Sequence, residues 1–206
     1  MEIENKTKDI SLEKEIERTK RIKGNGIGAA VLSHLHFIRD KKGEEGVKKV
    51  QARLRELGYN IDFNEIKAME TVPLSFSYLV VLAAKEIFGW QDKDIFEMGN
   101  NAPKYSFVIK MIMKYLVSMK KMFQESSLTW EKHYNVGKLE SYKLNEREKY
   151  MILRLKHDCP PTICTFYRGY FLRIVQYVVK SGKTVIKETK CSNRGDAYHE
   201  FLIEWK

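Results

Sequence analysis

The feature that most constrains how this chain can fold is a set of four side chains able to bind a metal, all near its end. They are Cys164, Glu188, Cys191 and His199, and they fall within 36 positions of a chain with only three cysteines and five histidines. Thiolates, imidazoles and carboxylates are the ligands that zinc takes in proteins. If all four bind one ion, the fold must bring the last two strands against the segment around Cys164.

Cys191 and His199 are separated by a run of turn-forming residues, Ser-Asn-Arg-Gly-Asp at 192–196. If the turn centres on Gly195, the two residues lie opposite each other across a hairpin. Their side chains then leave the same face, with Cβ atoms about 5 Å apart. Cysteine is also a common filler of protein cores, so the spacing alone leaves a structural and a metal-binding interpretation open.

The bulk composition indicates one globular domain without a membrane span. The chain has 206 residues, of which 43% are hydrophobic and 12% aromatic, enough for a proper core. The longest apolar run, around 76–88, is interrupted by Lys85 and Glu86. The N-terminus lacks a hydrophobic signal region, and three cysteines do not make a secreted disulfide framework. We therefore expect a cytoplasmic protein.

The net charge of +10 raises the alternative of a nucleic-acid-binding protein. The basic residues are spread along the chain, however, and the clearest cluster is Lys110, Lys114 and Lys121. These fall on one face of a predicted helix whose other face is apolar, as in any amphipathic surface helix. We do not expect nucleic acid as a partner.

The hydrophobic periodicity predicts helices in the first half and mostly strands in the second. The class is α+β, with N-terminal helices packed on a C-terminal antiparallel sheet of about four strands, and one long helix inserted in the order ββαββ. A charged flexible or helical extension covers 1–23, and a single ligand-binding domain covers 24–206, divided into a helical part (24–124) and a sheet-and-helix part (125–206). Helices are predicted over 26–41, 44–57, 73–88, 92–98, 104–123 and for four turns from 161 or 162, and strands over 128–136, 139–144, 150–156, 183–190 and 197–205.

The C-terminal half resembles the 4-vinyl reductase domain, a small-molecule-binding module of the fold shared by haem nitric-oxide sensors and Golgi transport-complex subunits. The likeness covers roughly 125–205. The helical first half is loosely similar to an uncharacterised myxobacterial family of the same fold. The residues that carry the likeness are Cys164 with Gly169, Tyr170 and Phe171, then Glu188-x2-Cys191, Gly195 and the aromatic-rich strand 201–205.

The resemblance implies a structural zinc ion. In aromatic-responsive activators with this domain, a Cys, a Glu, a Cys and a last Cys bind one zinc. The matching positions here are Cys164, Glu188, Cys191 and His199, so that a histidine replaces the last cysteine. Cys159 is an alternative for the first position. A site filled by four protein ligands is structural, not catalytic.

We expect a non-catalytic protein, because the sequence has no GxSxG, HExxH or comparable catalytic motif. Haem is conceivable by analogy with the nitric-oxide sensors, with His133 as a candidate ligand. The sequence has no Tyr-x-Ser-x-Arg propionate signature, so we do not expect haem.

The fold implied by the resemblance places an apolar cavity between the sheet and the long helices. We expect it to bind an apolar, aromatic or lipid-like small molecule, so that the chain is a sensor or carrier that signals through a partner protein, as a homodimer. The alternative is a scaffold or assembly subunit of the transport-complex type, with side chains filling the cavity. The expected lining is Phe76, Tyr78, Val81, Tyr105, Ile109, Trp130, Tyr134, Phe166, Tyr167 and Tyr170.

Overall fold

A four-stranded antiparallel sheet forms one side of the molecule, seen in a computed structural model that describes residues 11–106, 109–111, 118–179 and 183–206. Strands β3 (Lys138–Asn145) and β4 (Tyr150–Lys156) form one hairpin, and β5 (Thr184–Lys190) and β6 (His199–Trp205) form the other. The strand order is β3-β4-β6-β5. The long helix α6 (Pro161–Val178) joins the hairpins, so the predicted α+β class and ββαββ order are confirmed.

The helical half begins with α1 (Leu12–Lys20), followed by α2 (Gly28–Glu56). The two helices predicted over 26–41 and 44–57 are confirmed as the two arms of α2, which meet at a kink at Gly43, where φ is 68° and ψ is −175°. A short antiparallel pair, β1 (Asn25–Ile27) with β2 (Thr71–Pro73), holds together the two ends of the segment that contains α2.

Helix α3 (Leu74–Phe88) is the buried centre of the helical half. Its residues from Leu74 to Ala84 are all buried, which explains why its sequence is apolar on every side. The helix ends at Gly89, whose left-handed φ of 61° lets its backbone N–H bond the Lys85 carbonyl.

Helices α4 (Asp92–Tyr105) and α6 cross at unusually short range through a pair of glycines. A Cβ atom on Gly99 would lie 2.0 Å from the Phe166 carbonyl oxygen, and one on Gly169 would lie 2.1 Å from the Phe96 carbonyl oxygen. Only glycine allows the two backbones to approach this closely.

The helix predicted over 104–123 is wrong in its extent. Helix α4 already includes Lys104 and Tyr105 and ends at Ser106; residues 109–111 are helical again, and helix α5 spans Met119–His133. Residues 107–108 and 112–117, which include Lys114, lie outside the described residues.

The strand predicted over 128–136 is also wrong, because residues 128–133 belong to α5. Ser118 caps this helix by accepting a hydrogen bond from the Lys121 backbone N–H. Met122 and Trp130 are buried on it, eight residues apart and therefore on one face. Burial of that face outweighs the β propensity of the sequence around Trp130.

Candidate metal centre and ligand cavity

The fold brings the four candidate metal ligands together at one end of the sheet. Cys164 lies in the first turn of α6, Glu188 in β5, Cys191 just after β5, and His199 at the start of β6. One ligand atom from each lies within 4.8 Å of the others. All three cysteines are buried and free.

The register of the last hairpin explains how residues 191 and 199 meet. Lys190 pairs with Glu200, so Cys191 falls opposite His199. A 3₁₀ turn at Ser192–Arg194 and a left-handed Gly195 with φ of 95° close the loop. The Asp196 carboxylate accepts a 2.7 Å hydrogen bond from the Cys191 backbone N–H, which fixes the loop from inside.

Two of the separations between ligand atoms come close to those around a tetrahedral ion. The Cys164 and Cys191 sulfurs are 3.9 Å apart, and the Cys164 sulfur is 3.6 Å from His199 Nδ1. Zinc bonds of about 2.0–2.3 Å at tetrahedral angles require ligand atoms roughly 3.3–3.8 Å apart. Glu188 Oε1 lies 2.9 Å from His199 Nδ1. The donor set of two thiols, an imidazole and a carboxylate therefore fits zinc.

On the far side of the imidazole ring, His199 Nε2 lies 2.6 Å from Ser192 Oγ. A histidine that binds a metal through one nitrogen usually donates a hydrogen bond from the other. Ser192 supplies the acceptor for Nε2–H, which leaves Nδ1 facing Cys164, Cys191 and Glu188.

Without a metal, the site holds its protons tightly. Burial lowers the pKa of His199, but hydrogen bonds to Cys164, Cys191 and Glu188 outweigh it and raise this pKa to about 12. The neighbouring Cys159 thiol, together with burial, raises the pKa of Cys164 to about 12. Hydrogen bonding with Cys164 likewise raises the pKa of Cys191. Metal binding requires thiolates and a neutral imidazole, so zinc uptake would release these protons.

Cys159 lies beside this centre but outside the group of four. Its sulfur is 3.9 Å from the Cys164 sulfur and 3.6 Å from His199 Nε2, which is the side of the ring that faces Ser192. Of the two cysteines weighed for the first ligand position, Cys164 has the better placement.

A cavity of about 120 Å³ lies between the helices and the inner face of the sheet. Phe76 and Tyr105 are not part of its wall: Phe76 packs against Tyr59 and Phe63, and Tyr105 stacks on His36. The other eight residues expected to line the cavity do so: Tyr78, Val81, Ile109, Trp130, Tyr134, Phe166, Tyr167 and Tyr170.

The sequence did not point to His34, a buried polar group of the cavity wall. His34 is 3% exposed; its Nε2 lies 3.1 Å from Ser77 Oγ, and its Nδ1 has no hydrogen-bond partner among the described residues. Burial lowers the pKa of His34 to about 3, so the imidazole is neutral. The only signal in the sequence was a histidine at helical spacing from Ala30, Val31 and Ile38, within an otherwise apolar stripe.

The other buried polar groups described in the wall form hydrogen bonds within the protein. The Tyr78 hydroxyl lies 2.7 Å from His157 Nε2 and 2.6 Å from the Tyr167 hydroxyl. The Trp130 indole donates a 3.1 Å hydrogen bond to the Val136 carbonyl. Among the described lining residues there is no Asp, Glu, Lys or Arg, so the cavity suits a neutral ligand.

The architecture defines a class: the chain has the H-NOX fold. It is similar to an H-NOX protein from S. oneidensis in the Fe(II)NO ligation state, with a TM-score of 0.66 and 13% identity over 87% of this chain and 99% of that one. An Fe(II) unliganded H-NOX protein from K. algicida matches with a TM-score of 0.62 and 11% identity, over 87% and 96% of the two chains.

A third similar structure, described by the modulation of haem redox potential through protein-induced porphyrin distortion, has a TM-score of 0.60 and 12% identity over 87% and 99% of the chains. No protein-family model matches this chain, and no curated protein does. The likeness to the 4-vinyl reductase and transport-complex families therefore stays a prediction. The comparison does contradict the expectation about haem, because the similar structures are described as Fe(II) or haem proteins.

None of the helices in the described ranges is long and apolar enough to cross a membrane.

Proposed function

We propose that this chain is a sensor domain that binds a small neutral molecule in the cavity between its helices and its sheet. The observation that carries the proposal is the cavity itself, about 120 Å³ with a mostly apolar wall. A cavity of about 150 Å³ lined by apolar side chains binds benzene, so the volume suits a ligand of one aromatic ring. A transport-type scaffold with a filled core is not favoured, because the described core is not filled.

The metal centre has a structural part in this proposal. Zinc held by Cys164, Glu188, Cys191 and His199 would tie the β5–β6 hairpin to the start of α6. The next turns of α6 supply Phe166, Tyr167 and Tyr170 to the cavity wall. With four protein ligands the ion has no open position for catalysis. The ion would therefore hold one wall of the cavity in place.

Haem is the second candidate ligand, supported by the H-NOX fold and by two histidines in the cavity wall. His34 is neutral, with an Nδ1 that has no hydrogen-bond partner in the part of the chain that the structure describes, and burial also lowers the pKa of His133. A neutral imidazole is the form that binds iron. Bound haem would supply an iron centre that takes up a diatomic gas. Pockets for larger ligands measure about 300–1,000 Å³, so haem requires the helices to move apart.

A signal from this domain would pass to a partner protein, and we propose a homodimer as its working state. The conformational link is α6, which touches both the metal centre and the cavity. Ligand size would change the packing of α6 against the sheet.

The first experiment identifies what the cavity holds. Protein purified without added ligand is denatured, and the released molecules are identified by mass spectrometry. In parallel, the native protein is titrated with haemin and, separately, melted in buffer saturated with toluene. We expect toluene to raise the Tm, because a ligand that binds only the folded state stabilises it. A released organic molecule of one-ring size would support the same conclusion.

Haemin binding with a Soret band would instead favour the second candidate. The band should then weaken in His34→Ala or His133→Ala but not in His36→Ala, whose ring lies outside the cavity. A protein that releases nothing, gains no stability from toluene and takes up no haemin contradicts the ligand-binding proposal.

A further inference from the structure

The loop between Cys191 and His199 carries a side chain that touches the metal centre without being one of its ligands. Asn193 Nδ2 lies 3.1 Å from the Cys164 sulfur and 3.1 Å from the Cys159 carbonyl oxygen. An amide NH₂ has two hydrogens, so one can bond the sulfur and the other the carbonyl. The loop after β5 is thereby attached to the segment that leads into α6.

The orientation of this amide is fixed by a third contact. Asn193 Oδ1 accepts a 2.5 Å hydrogen bond from Arg18 Nη1. Exchanging the amide oxygen and nitrogen would set two oxygens against each other at Cys159 and two donors against each other at Arg18. The surrounding groups therefore determine which end of the amide faces the sulfur.

Arg18 belongs to α1, the helix that precedes the β1–β2 pair, so the N-terminal helix reaches the metal centre. The same guanidinium also pairs with Asp158. One turn earlier, the buried Glu15 carboxylate accepts hydrogen bonds from the Thr162 backbone N–H at 2.9 Å and its hydroxyl at 3.1 Å. Helix α1 thus bonds both the loop that precedes His199 and the turn that carries Cys164.

We infer that Asn193 is a positioning residue of the metal centre, and that α1 takes part in metal binding by holding Asn193 through Arg18. The inference rests on the proposed metal centre and deepens it. Hydrogen bonds to a coordinated thiolate remove charge from the sulfur and fix its direction. Residues that orient the ligands of a metal commonly contribute about 10- to 100-fold to its affinity.

The test compares zinc affinity and the cobalt spectrum in full-length variants. Zinc affinity is measured by competition with a chromophoric chelator, and Co²⁺ is used to record the sulfur-to-metal charge-transfer band. We expect Asn193→Ala to weaken zinc binding about 10-fold or more and to move the band to longer wavelength. The shift follows because a thiolate that has lost an N–H donor gives up charge more easily.

Two further variants separate positioning from folding. Asn193→Asp keeps the shape and the Arg18 contact but loses both donors, so it should weaken binding as Asn193→Ala does. Arg18→Ala should weaken binding in the same direction by less. Lys20→Ala on the same helix should match the wild type, because within the described ranges Lys20 pairs only with the exposed Glu17.

The outcomes distinguish the metal centre itself from the positioning role of Asn193. The positioning role alone is overturned if the wild type binds Co²⁺ and both Asn193 variants match it. Matching means zinc affinities within about twofold of the wild type and an unmoved charge-transfer band. A wild type that binds neither ion overturns the metal centre and this role together, while the cavity proposal keeps its own test.

Discussion

Glu188 and His199 are eleven residues apart in the chain, and their side chains meet with Oε1 2.9 Å from Nδ1. The carboxylate is 9% exposed and the imidazole 1% exposed. Two ionisable side chains are thus buried together beside two cysteines. Burying such groups is unfavourable, and a hydrophobic core packs without them. The contact therefore supports a metal-binding interpretation of the hairpin.

The first prediction concerns metal content. Cys191→Ala should reduce bound zinc to near nothing and lower the free energy of unfolding by several kcal/mol, because a structural metal stabilises the folded state. His199→Cys should keep the metal, since a thiolate replaces an imidazole as a ligand. Elemental analysis measures the zinc content of both variants, and urea unfolding measures the loss of stability in Cys191→Ala.

Cys159→Ala is the matched control for that experiment. Its sulfur lies beside the centre but outside the group of four, so the variant should retain one zinc per chain. Loss of zinc in Cys159→Ala, with retention in Cys164→Ala, would transfer the first ligand position to Cys159.

The second prediction concerns the cavity. Ala30 lines the cavity, and Ala52 is exposed on the same helix. Ala30→Leu should place extra methyl groups in the cavity and abolish the rise in Tm caused by toluene, whereas Ala52→Leu should keep it. Differential scanning fluorimetry compares the three proteins. An undiminished toluene effect in Ala30→Leu would mean that the ligand binds elsewhere.

The third prediction concerns the crossing of α4 and α6. Gly99→Ala should destabilise the protein by about 2 kcal/mol, because the new Cβ would lie against a backbone carbonyl that cannot turn aside. The helix propensity of alanine returns only about 0.5–1 kcal/mol. Urea unfolding measures the change, with the exposed Lys93→Ala on the same helix as control, expected within about 0.5 kcal/mol. A stabilised Gly99→Ala protein would contradict the close crossing.

The fourth prediction concerns pH. Burial lowers the folded-state pKa of His34 to about 3, against about 6.5 in an unfolded chain. Between these values the unfolded state binds more protons, so stability falls as the pH falls, with His34 contributing at most about 1.4 kcal/mol per pH unit. His157 acts in the same direction, with its pKa lowered to about 4 by burial.

Urea unfolding at pH 7, 6 and 5 tests this dependence. The free energy of unfolding should depend less steeply on pH in His34→Gln than in the wild type, whatever the stability of the variant at pH 7. The difference in slope should correspond to at most one bound proton, about 1.4 kcal/mol per pH unit. His36→Gln, two residues away, serves as the control. Equal slopes in all three proteins would show that His34 is not buried as a neutral group.

The local patterns that sequence analysis relies on predicted the sheet half well. The turn residues between Cys191 and His199 set the register, and the register determines which side chains meet. The apolar stripe of α6 predicted a helix that the structure also has. Both cases depend on neighbours in the chain, which the sequence displays directly.

The sequence-based predictions failed where contacts between residues far apart in the chain determine the structure. Trp130 looks like a strand residue, but burial against the cavity wall and an indole bond to Val136 keep its segment helical. Whether His34 borders the cavity depends on Ser77, 43 residues later, so spacing within α2 could not show it. The expectation against haem depends on one missing motif, whereas the solved structures of similar fold are described as Fe(II) proteins.

The register of the last hairpin also restricts how related chains can vary. Successive side chains of a strand point to opposite faces. Adding or removing one residue in β6 just after His199 would therefore turn the imidazole to the other face of the strand, unless a bulge absorbed the change. An insertion of two would preserve its direction. Residues 192–198 lie outside the strands, so we expect related chains that keep the centre to vary in length there and not within β6.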